Sequence, residues 1–153
     1  MGEAGEVGRV EEGETLVLRT DGASRGNPGP AAAGIVIERR DGTPVAHGKR
    51  YLGEMPNNQA EYRALLLGLQ AVRRYVPSAV EVRMDSELVV RQMQGRYKVQ
   101  DPVLQALHAQ AQTLVLVLPH VIFTHVPRAD NAEADRLANA ALDEHARRTR
   151  HGA

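Results

Sequence analysis

Residues 15–39 have the sequence TLVLRTDGASRGNPGPAAAGIVIER, and they decide the first part of the fold. The apolar, β-branched run Thr15–Thr20 predicts a strand that ends in a turn at Asp21-Gly22. The loop Ala23–Pro30 is dense in glycine and proline, which indicates a backbone with a specific shape. Ala32–Arg39 predicts a second strand, so the stretch indicates two consecutive strands joined by a structured loop.

The rest of the chain adds three strands and four helices. Apolar residues take a helical period between Asn58 and Tyr75, and Pro77 ends that helix. The other predicted elements are strands Val45–Leu52, Val80–Asp85 and Val121–Val126, and helices Ser86–Gln94, one from Asp101-Pro102 through Leu118, and Asn131–Ala146. The order β-β-β-α-β-α-α-β-α predicts an α/β fold, a five-stranded mixed sheet flanked by helices.

The 153 residues suit one compact domain and leave little room for a second. Residues 1–14 hold five glutamates and one arginine and offer little to bury, which predicts a disordered acidic tail. We therefore expect the domain at residues 15–148 and a flexible basic end at residues 149–153.

Composition excludes several classes of protein. The chain has no cysteine, which excludes disulfides, thiolate zinc sites and cysteine nucleophiles. No apolar run approaches the ~20 residues that cross a membrane, and the N-terminus has no signal-peptide pattern. We expect a cytoplasmic monomer without a membrane partner. The domain is mildly basic once the tail is set aside, which is compatible with a polyanionic partner.

Four carboxylates lie at unusual positions. Asp21 and Asp85 end predicted strands, where acids are common in turns. Glu61 and Asp135 lie on the apolar faces of predicted helices, where an acid is costly unless it is paired or binds a metal. If the first and fourth strands are parallel neighbours, all four can meet at one sheet edge, and a hard divalent cation would relieve their repulsion.

Ion pairing is the alternative for the two helical acids. Glu61 and Asp135 would then pair with neighbouring arginines such as Arg25 or Arg128. Geometry inferred from spacing does not separate this alternative from a metal site.

The motifs resemble the type 1 ribonuclease H family. They occur in the family's order over nearly the whole chain from Thr15 onward, and the first is highly specific. They are TDGASRGNPGPAAAGIVI (Thr20–Ile37), NNQAEYRALLLGLQAV (Asn57–Val72), MDS (Met84–Ser86) and NAEADRLANAAL (Asn131–Leu142). The family's Asp-Glu-Asp-Asp set falls on Asp21, Glu61, Asp85 and Asp135.

The resemblance implies cleavage of the RNA strand of an RNA/DNA hybrid, which leaves 5′-phosphate and 3′-hydroxyl ends. It implies two Mg²⁺ or Mn²⁺ ions, with Asp21 bridging both and Asp85 and Asp135 each completing the ligands of one. Glu61 would hold a metal and help to fix a ribose 2′-hydroxyl.

Substrate recognition is implied for a set of amide side chains. RNA differs from DNA by the 2′-hydroxyls in its wide minor groove. By resemblance, Asn27, Asn57 and Asn58 would form hydrogen bonds in that groove, and Gln59 is a weaker candidate. The alternative is structural: Asn27 is a turn residue and Asn58 an N-cap.

Two departures place the chain in a compact branch of the family. The mobile loop with a histidine before the last aspartate is missing; His125 falls inside a strand, where we expect a packed or hydrogen-bonded histidine. Arg128 is the candidate to act near the scissile phosphate instead, unless it only pairs with Glu133 or Asp135.

The second departure is the lack of the basic inserted helix, because only QGRYKVQDP (Gln94–Pro102) is present. We expect weaker and salt-dependent substrate binding.

Three other functions remain open. One is a different nuclease on the same fold, such as a junction resolvase or transposase-like domain, which would not need the asparagines. Another is a non-catalytic nucleic-acid-binding module, which we would expect to lose at least one acid. A phosphatase for small phosphomonoesters would need a closed pocket.

Overall fold

The computed structural model describes residues 3–6 and 10–152. It contains six strands, four α-helices and one 3-10 turn. The strands are β1 (Glu3–Glu6), β2 (Thr15–Ser24), β3 (Gly29–Arg39), β4 (Pro44–Met55), β5 (Ala79–Met84) and β6 (Val121–His125). The helices are α1 (Asn57–Arg73), α2 (Glu87–Met93), α3 (Pro102–Leu116) and α4 (Ala132–Gly152), and the 3-10 turn Arg128–Asn131 precedes α4.

All six strands form one mixed sheet in the order β1-β4-β3-β2-β5-β6. The strands β1 to β4 pair antiparallel, whereas β2 pairs parallel with β5 and β5 pairs parallel with β6. The mixed sheet is confirmed, and the five predicted strands are β2 to β6, with β1 as an additional strand at the edge. The expected parallel pairing of the first and fourth predicted strands is the pairing of β2 with β5. Because three parallel strands end at the same edge, the side chains that follow them are brought together there.

Helices cover both faces of the sheet. On one face, α1 and α3 bury the larger core, which includes Leu16, Leu18 and Leu65. On the other face, α4 packs on β2, β3 and β4 with small side chains between them, such as Ala134 against Val36. A long apolar helix of the kind that crosses a membrane is absent from the part of the chain that the structure describes.

The N-terminal strand differs from the sequence expectation. Glu3–Glu6 pairs with β4 from Lys49 to Ala46, although residues 1–14 were expected to form a disordered tail. Glu14 is also part of the fold, because its carbonyl accepts a hydrogen bond from the Ser78 amide. Of the expected tail, residues 1–2 and 7–9 lie outside the described residues.

Two helices also differ from their expected extent or burial. The last helix continues to Gly152, through most of the segment 149–153 that was expected to be flexible. The helix α3 is a core helix on one face only. Its residues Leu104 and Leu107 are buried, but Leu116 is 84% exposed because it lies on the outer face of the helix, while its neighbours Leu114 and Val115 pack against the core.

Candidate metal centre and active site

The register of β2 and β5 places Asp21 beside Asp85. The last parallel pair of these strands is Arg19 with Arg83, and each aspartate follows two residues later. Asp85 comes directly after β5, as predicted. Asp21 does not end its strand, because β2 continues to Ser24 by pairing with β3. The two carboxylates therefore emerge side by side where β2 and β5 separate.

Glu61 is brought to the same edge by the first turns of α1. The backbone amide of Gly22 donates a hydrogen bond to Glu61 Oε1 at 2.8 Å. This close approach needs a glycine, because a Cβ on Gly22 would overlap the backbone of Ala60 and Glu61. Glu61 thus faces the sheet edge, and its contact is a backbone amide rather than an arginine.

Asp135 reaches the site from the opposite face through α4. Gly34 of β3 lies opposite Asp21 in the sheet register, and α4 passes directly over it. A Cβ on Gly34 would overlap the carbonyl oxygen of Ala134, the residue before Asp135. The amide Nδ2 of Asn139, one turn further along α4, lies 3.3 Å from Asp135 Oδ1.

The acidic side chains converge in one open pocket. One carboxylate oxygen from each of Asp21, Glu61 and Asp85 lies within 4.8 Å of the others. Asp135 lines the same pocket. Carboxylate oxygens gathered in this way are a ligand set for a hard divalent cation such as Mg²⁺ or Mn²⁺.

The electrostatics of the cluster also fit a cation site. Burial raises the pKa of Asp21 to about 9, and the nearby charge of Glu61, a hydrogen bond with Asp135 and the charge of Asp85 add to the rise. Burial also raises the pKa of Glu61 to about 8, against the opposing effect of the Gly22 amide. Without a cation, these two acids hold their protons at neutral pH, so the residues present fit a group that supplies positive charge.

Among the residues that the structure describes, Glu61 does not form the ion pair with an arginine that was the alternative to a metal site; its contact is the Gly22 amide. Arg25 forms an ion pair with Asp143 of α4 at 2.7 Å. Arg128 lies at the rim of the pocket, with its side chain 79% exposed and its Nη2 atom 4.0 Å from Asp135 Oδ1. The guanidinium of Arg128 is thus held loosely and points into solvent beside the carboxylates.

The predicted amide residues are distributed unevenly around the pocket. Asn27 Oδ1 accepts a hydrogen bond from the Asn57 backbone amide at 3.0 Å, so Asn27 ties its loop to the start of α1. Asn57 lines the pocket. Asn58 is exposed and Gln59 is half-buried, and in the described part of the chain neither lines the pocket. Asn58 is not the N-cap either, because that position belongs to Pro56.

His125 differs from its expected environment. It ends β6 beside Met84, and its side chain is exposed rather than packed in the sheet. The reason is that β6 is the edge strand of the sheet: Met84, the register partner of His125 on β5, is fully buried, whereas His125 lies one strand further out.

Three residues of the site were not among the predicted site residues. Asn131 is buried and donates hydrogen bonds to Thr20 and Asp85, while Asn139 contacts Asp135 and Arg25 lines the pocket. The spacing of the two asparagines could have indicated their place in the site, because Asn131 and Asn139 lie four residues before and after Asp135. Residues at that spacing share one helix face.

Comparison with known proteins identifies relatives of this chain. A family model described as reverse transcriptase-like matches residues 19–141. Ribonuclease HI of Halobacterium salinarum is 47% identical over 124 residues, which are 81% of this chain and 62% of that protein. The bifunctional protein Rv2228c of Mycobacterium tuberculosis is 46% identical over 129 residues, 84% of this chain and 35% of that protein. The chain therefore spans only about a third to three fifths of these relatives.

Three solved structures match this chain over nearly their whole length. RNase H1 from Halobacterium salinarum has a TM-score of 0.83 at 45% identity, covering 85% of this chain and 98% of that chain. The N-terminal RNase H domain of Rv2228c gives 0.85 at 44% identity, covering 89% and 99%. LC11-RNase H1, solved in complex with an RNA/DNA hybrid, gives 0.82 at 44% identity, covering 84% and 97%. With the ordered motifs and the four carboxylates at one sheet edge, these matches show that the chain belongs to the type 1 ribonuclease H family.

Proposed function

We propose that this protein is an endoribonuclease that hydrolyses the RNA strand of RNA/DNA hybrids and leaves 5′-phosphate and 3′-hydroxyl ends. The observation that carries the proposal is the convergence of Asp21, Glu61 and Asp85 where two parallel strands separate. The relatives support it, since they include a ribonuclease HI and an RNase H1 bound to an RNA/DNA hybrid.

The cofactor assigned to this site is a pair of Mg²⁺ or Mn²⁺ ions. Asp21, the most buried of the four acids, is assigned to both ions, and Asp85, Asp135 and Glu61 to one ion each. When bound, such ions lower the pKa of an attacking water and stabilise the negative charge on the leaving 3′ oxygen. The chain has to supply these acids in their ionised form and in a fixed orientation.

The other assigned roles concern orientation of the substrate. The Gly22 amide holds Glu61 Oε1, which fixes the carboxylate for contact with a ribose 2′-hydroxyl. Arg128 is assigned to the scissile phosphate, because its exposed guanidinium lies at the rim of the pocket.

Recognition of the minor groove is assigned to the amide residues. The oxygen of Asn27 is already engaged by Asn57, so its NH₂ group is the part that can donate to a substrate. Asn57 borders the pocket, and Asn58 and Gln59 follow it on the first turn of α1. An open groove edged by amides suits the 2′-hydroxyls of an RNA strand better than a small phosphomonoester.

The remaining assignments concern the whole chain. We infer that it acts in the cytoplasm as a monomer, with the hybrid duplex as its partner. The catalytic domain is assigned to residues 15–148, with β1 as an added edge strand of its sheet and with α4 continuing to Gly152.

The test is a comparison of duplexes. The protein is incubated with matched RNA/DNA, RNA/RNA and DNA/DNA duplexes, with Mg²⁺, Mn²⁺ or EDTA. We expect cleavage of RNA in the hybrid only, with a metal ion present, and a loss of at least a hundredfold in the Asp85→Asn variant. Asp41→Asn is the matched control, since it makes the same change in the exposed β3–β4 hairpin and should retain activity.

Two results would overturn the proposal. Metal-dependent cutting of DNA/DNA would indicate another nuclease of the same fold. Hybrid binding without any metal-dependent cleavage would indicate a binding module.

A further inference from the structure

A buried asparagine bridges strand β2, which carries Asp21, and Asp85, which follows β5. Asn131 is 1% exposed and ends the 3-10 turn before α4. Its Nδ2 atom lies 2.9 Å from the Thr20 carbonyl oxygen and 3.3 Å from Asp85 Oδ1. The β2–β5 ladder stops at Arg19 and Arg83, so Asn131 supplies a cross-link just where the strands separate.

The chemistry of the position explains the residue type. Both atoms that Asn131 contacts are acceptors, so the side chain has to donate twice, and an NH₂ group does this without adding charge. The opposite amide orientation would place Oδ1 against two oxygens. In the observed orientation Oδ1 is buried without a hydrogen-bond partner among the described residues. A buried orphan acceptor is costly, which indicates that the two donated bonds decide the orientation.

The turn that carries Asn131 is itself anchored. Arg19 donates a hydrogen bond to the Asp130 carbonyl oxygen at 2.6 Å, and its Nε atom pairs with Glu38 at 2.8 Å. The Asp130 amide donates to the Pro127 carbonyl oxygen. Asn131 is therefore held from the sheet side as well as by α4, and its amide has little freedom to move away from Asp85.

We propose that Asn131 is a positioning residue that orients the Asp85 carboxylate for a divalent cation and keeps it beside Asp21. The inference rests on the proposed function for its catalytic consequence but not for its effect on metal binding. Groups that hydrogen-bond to metal-binding carboxylates fix their rotation, and their loss typically weakens metal binding 10- to 100-fold.

The test measures Mn²⁺ binding directly, by titration calorimetry and by the electron paramagnetic resonance signal of free Mn²⁺. Asn131→Leu has nearly the same shape and removes both donors as well as the orphan oxygen. We expect its dissociation constant for Mn²⁺ to rise about tenfold or more. Unfolding in EDTA reports stability separately.

The matched control is Gln92→Leu. Gln92 is also a buried amide, 4% exposed, but it bonds to Tyr62 and to the Lys98 carbonyl oxygen, away from the acids. We expect Gln92→Leu to lose stability and retain Mn²⁺ affinity. The proposal is overturned if Asn131→Leu binds Mn²⁺ as tightly as the parent, or loses affinity only to the extent that Gln92→Leu does.

A measurement on the parent protein covers the case in which Asn131→Leu does not fold. The Asn131 side-chain amide protons should exchange slowly with solvent in NMR spectra and shift when Mg²⁺ is added. Fast exchange without a Mg²⁺ response would overturn the inference. If the parent cleaves hybrids and Asn131→Leu binds Mn²⁺ as tightly as the parent does, only this inference is rejected. If Asn131→Leu binds Mn²⁺ more weakly than the parent but the parent does not cleave hybrids, only the proposed function is rejected.

Discussion

Asp21 is buried and Glu61 is partly buried at the sheet edge, and this burial raises the pKa values of both carboxyls. In the unfolded chain these acids ionise near pH 4, but in the metal-free fold they keep their protons to about pH 9 and 8. Between about pH 4 and 9 the folded state therefore binds more protons than the unfolded state. The stability of the metal-free protein must fall as pH rises through that window.

Replacing Asp21 tests this conclusion. In EDTA, Asp21→Asn should raise the free energy of unfolding by about 2 kcal/mol at pH 8 and reduce its decline between pH 5 and pH 9. Urea unfolding at pH 5, 7 and 9 measures both effects, with Asp41→Asn as a control that keeps the parental slope. A parent protein whose metal-free stability rises from pH 5 to pH 9 relative to Asp21→Asn would contradict the prediction.

Arg128 gives a second prediction at the scale of one residue. It lies 4.0 Å from Asp135 and is largely exposed, so its loss should hardly change stability. If it contacts the scissile phosphate, Arg128→Ala should lower kcat at least tenfold. Steady-state cleavage of a hybrid measures this, with Arg136→Ala as the control because Arg136 pairs with Glu133 on the same helix. Unchanged turnover in Arg128→Ala would show that the arginine is only an ion-pair partner.

At the scale of elements, α4 can carry Asp135 to the sheet only because β3 has a glycine beneath it. Gly34→Ala would push its Cβ into the backbone of Ala134, which cannot rotate away as a side chain can. Gly68 of α1 is the comparison, because its Cβ would meet side-chain atoms instead, at 2.7 Å from Thr20 Cγ2.

The two glycines should therefore respond differently. We expect Gly34→Ala to cost about 3 kcal/mol of stability and most of the activity, since α4 and Asp135 must shift together. Gly68→Ala should cost about 1 kcal/mol and retain most of the activity of the folded protein. Urea unfolding with cleavage assays on the folded fraction distinguishes them, and equal losses would show that α4 adjusts without moving the site.

The elements also show what a sequence can predict. Strands β2 to β6 contain short apolar runs bounded by turn residues, and β5 also alternates with the period of a strand, so their order was predictable. The strand Glu3–Glu6 was not, because EAGE has no such pattern and pairs with the edge of β4 through its backbone. Asn131 was missed for a similar reason, since its role depends on two acceptors, on Thr20 and Asp85, that lie 111 and 46 residues away along the chain.

The whole molecule has one helical layer on each face of the sheet, and the acids gather at one edge. The short connection between α2 and α3 confirms that the basic inserted helix is missing, since only residues 94–101 separate the two helices. Arg96 and Lys98 are exposed in it. The chain has no net charge, so attraction to a polyanion depends on where its cations lie.

Salt dependence tests whether this connection touches the hybrid. The Asp85→Asn substitution is used as the background because it blocks cleavage. The affinity of this variant for the hybrid is measured in Ca²⁺ at salt concentrations from about 50 to 200 mM, a range in which binding to phosphates depends strongly on salt. Adding Arg96→Ala and Lys98→Ala should reduce the slope of log affinity against log salt by about one to two, roughly one for each phosphate that is no longer neutralised. The matched control is Arg73→Ala with Arg74→Ala, which removes the same charge at the far end of α1 from Glu61. Equal slopes for the two double variants would show that Arg96 and Lys98 do not touch the duplex, and the cations that attract the hybrid would then have to lie closer to the pocket.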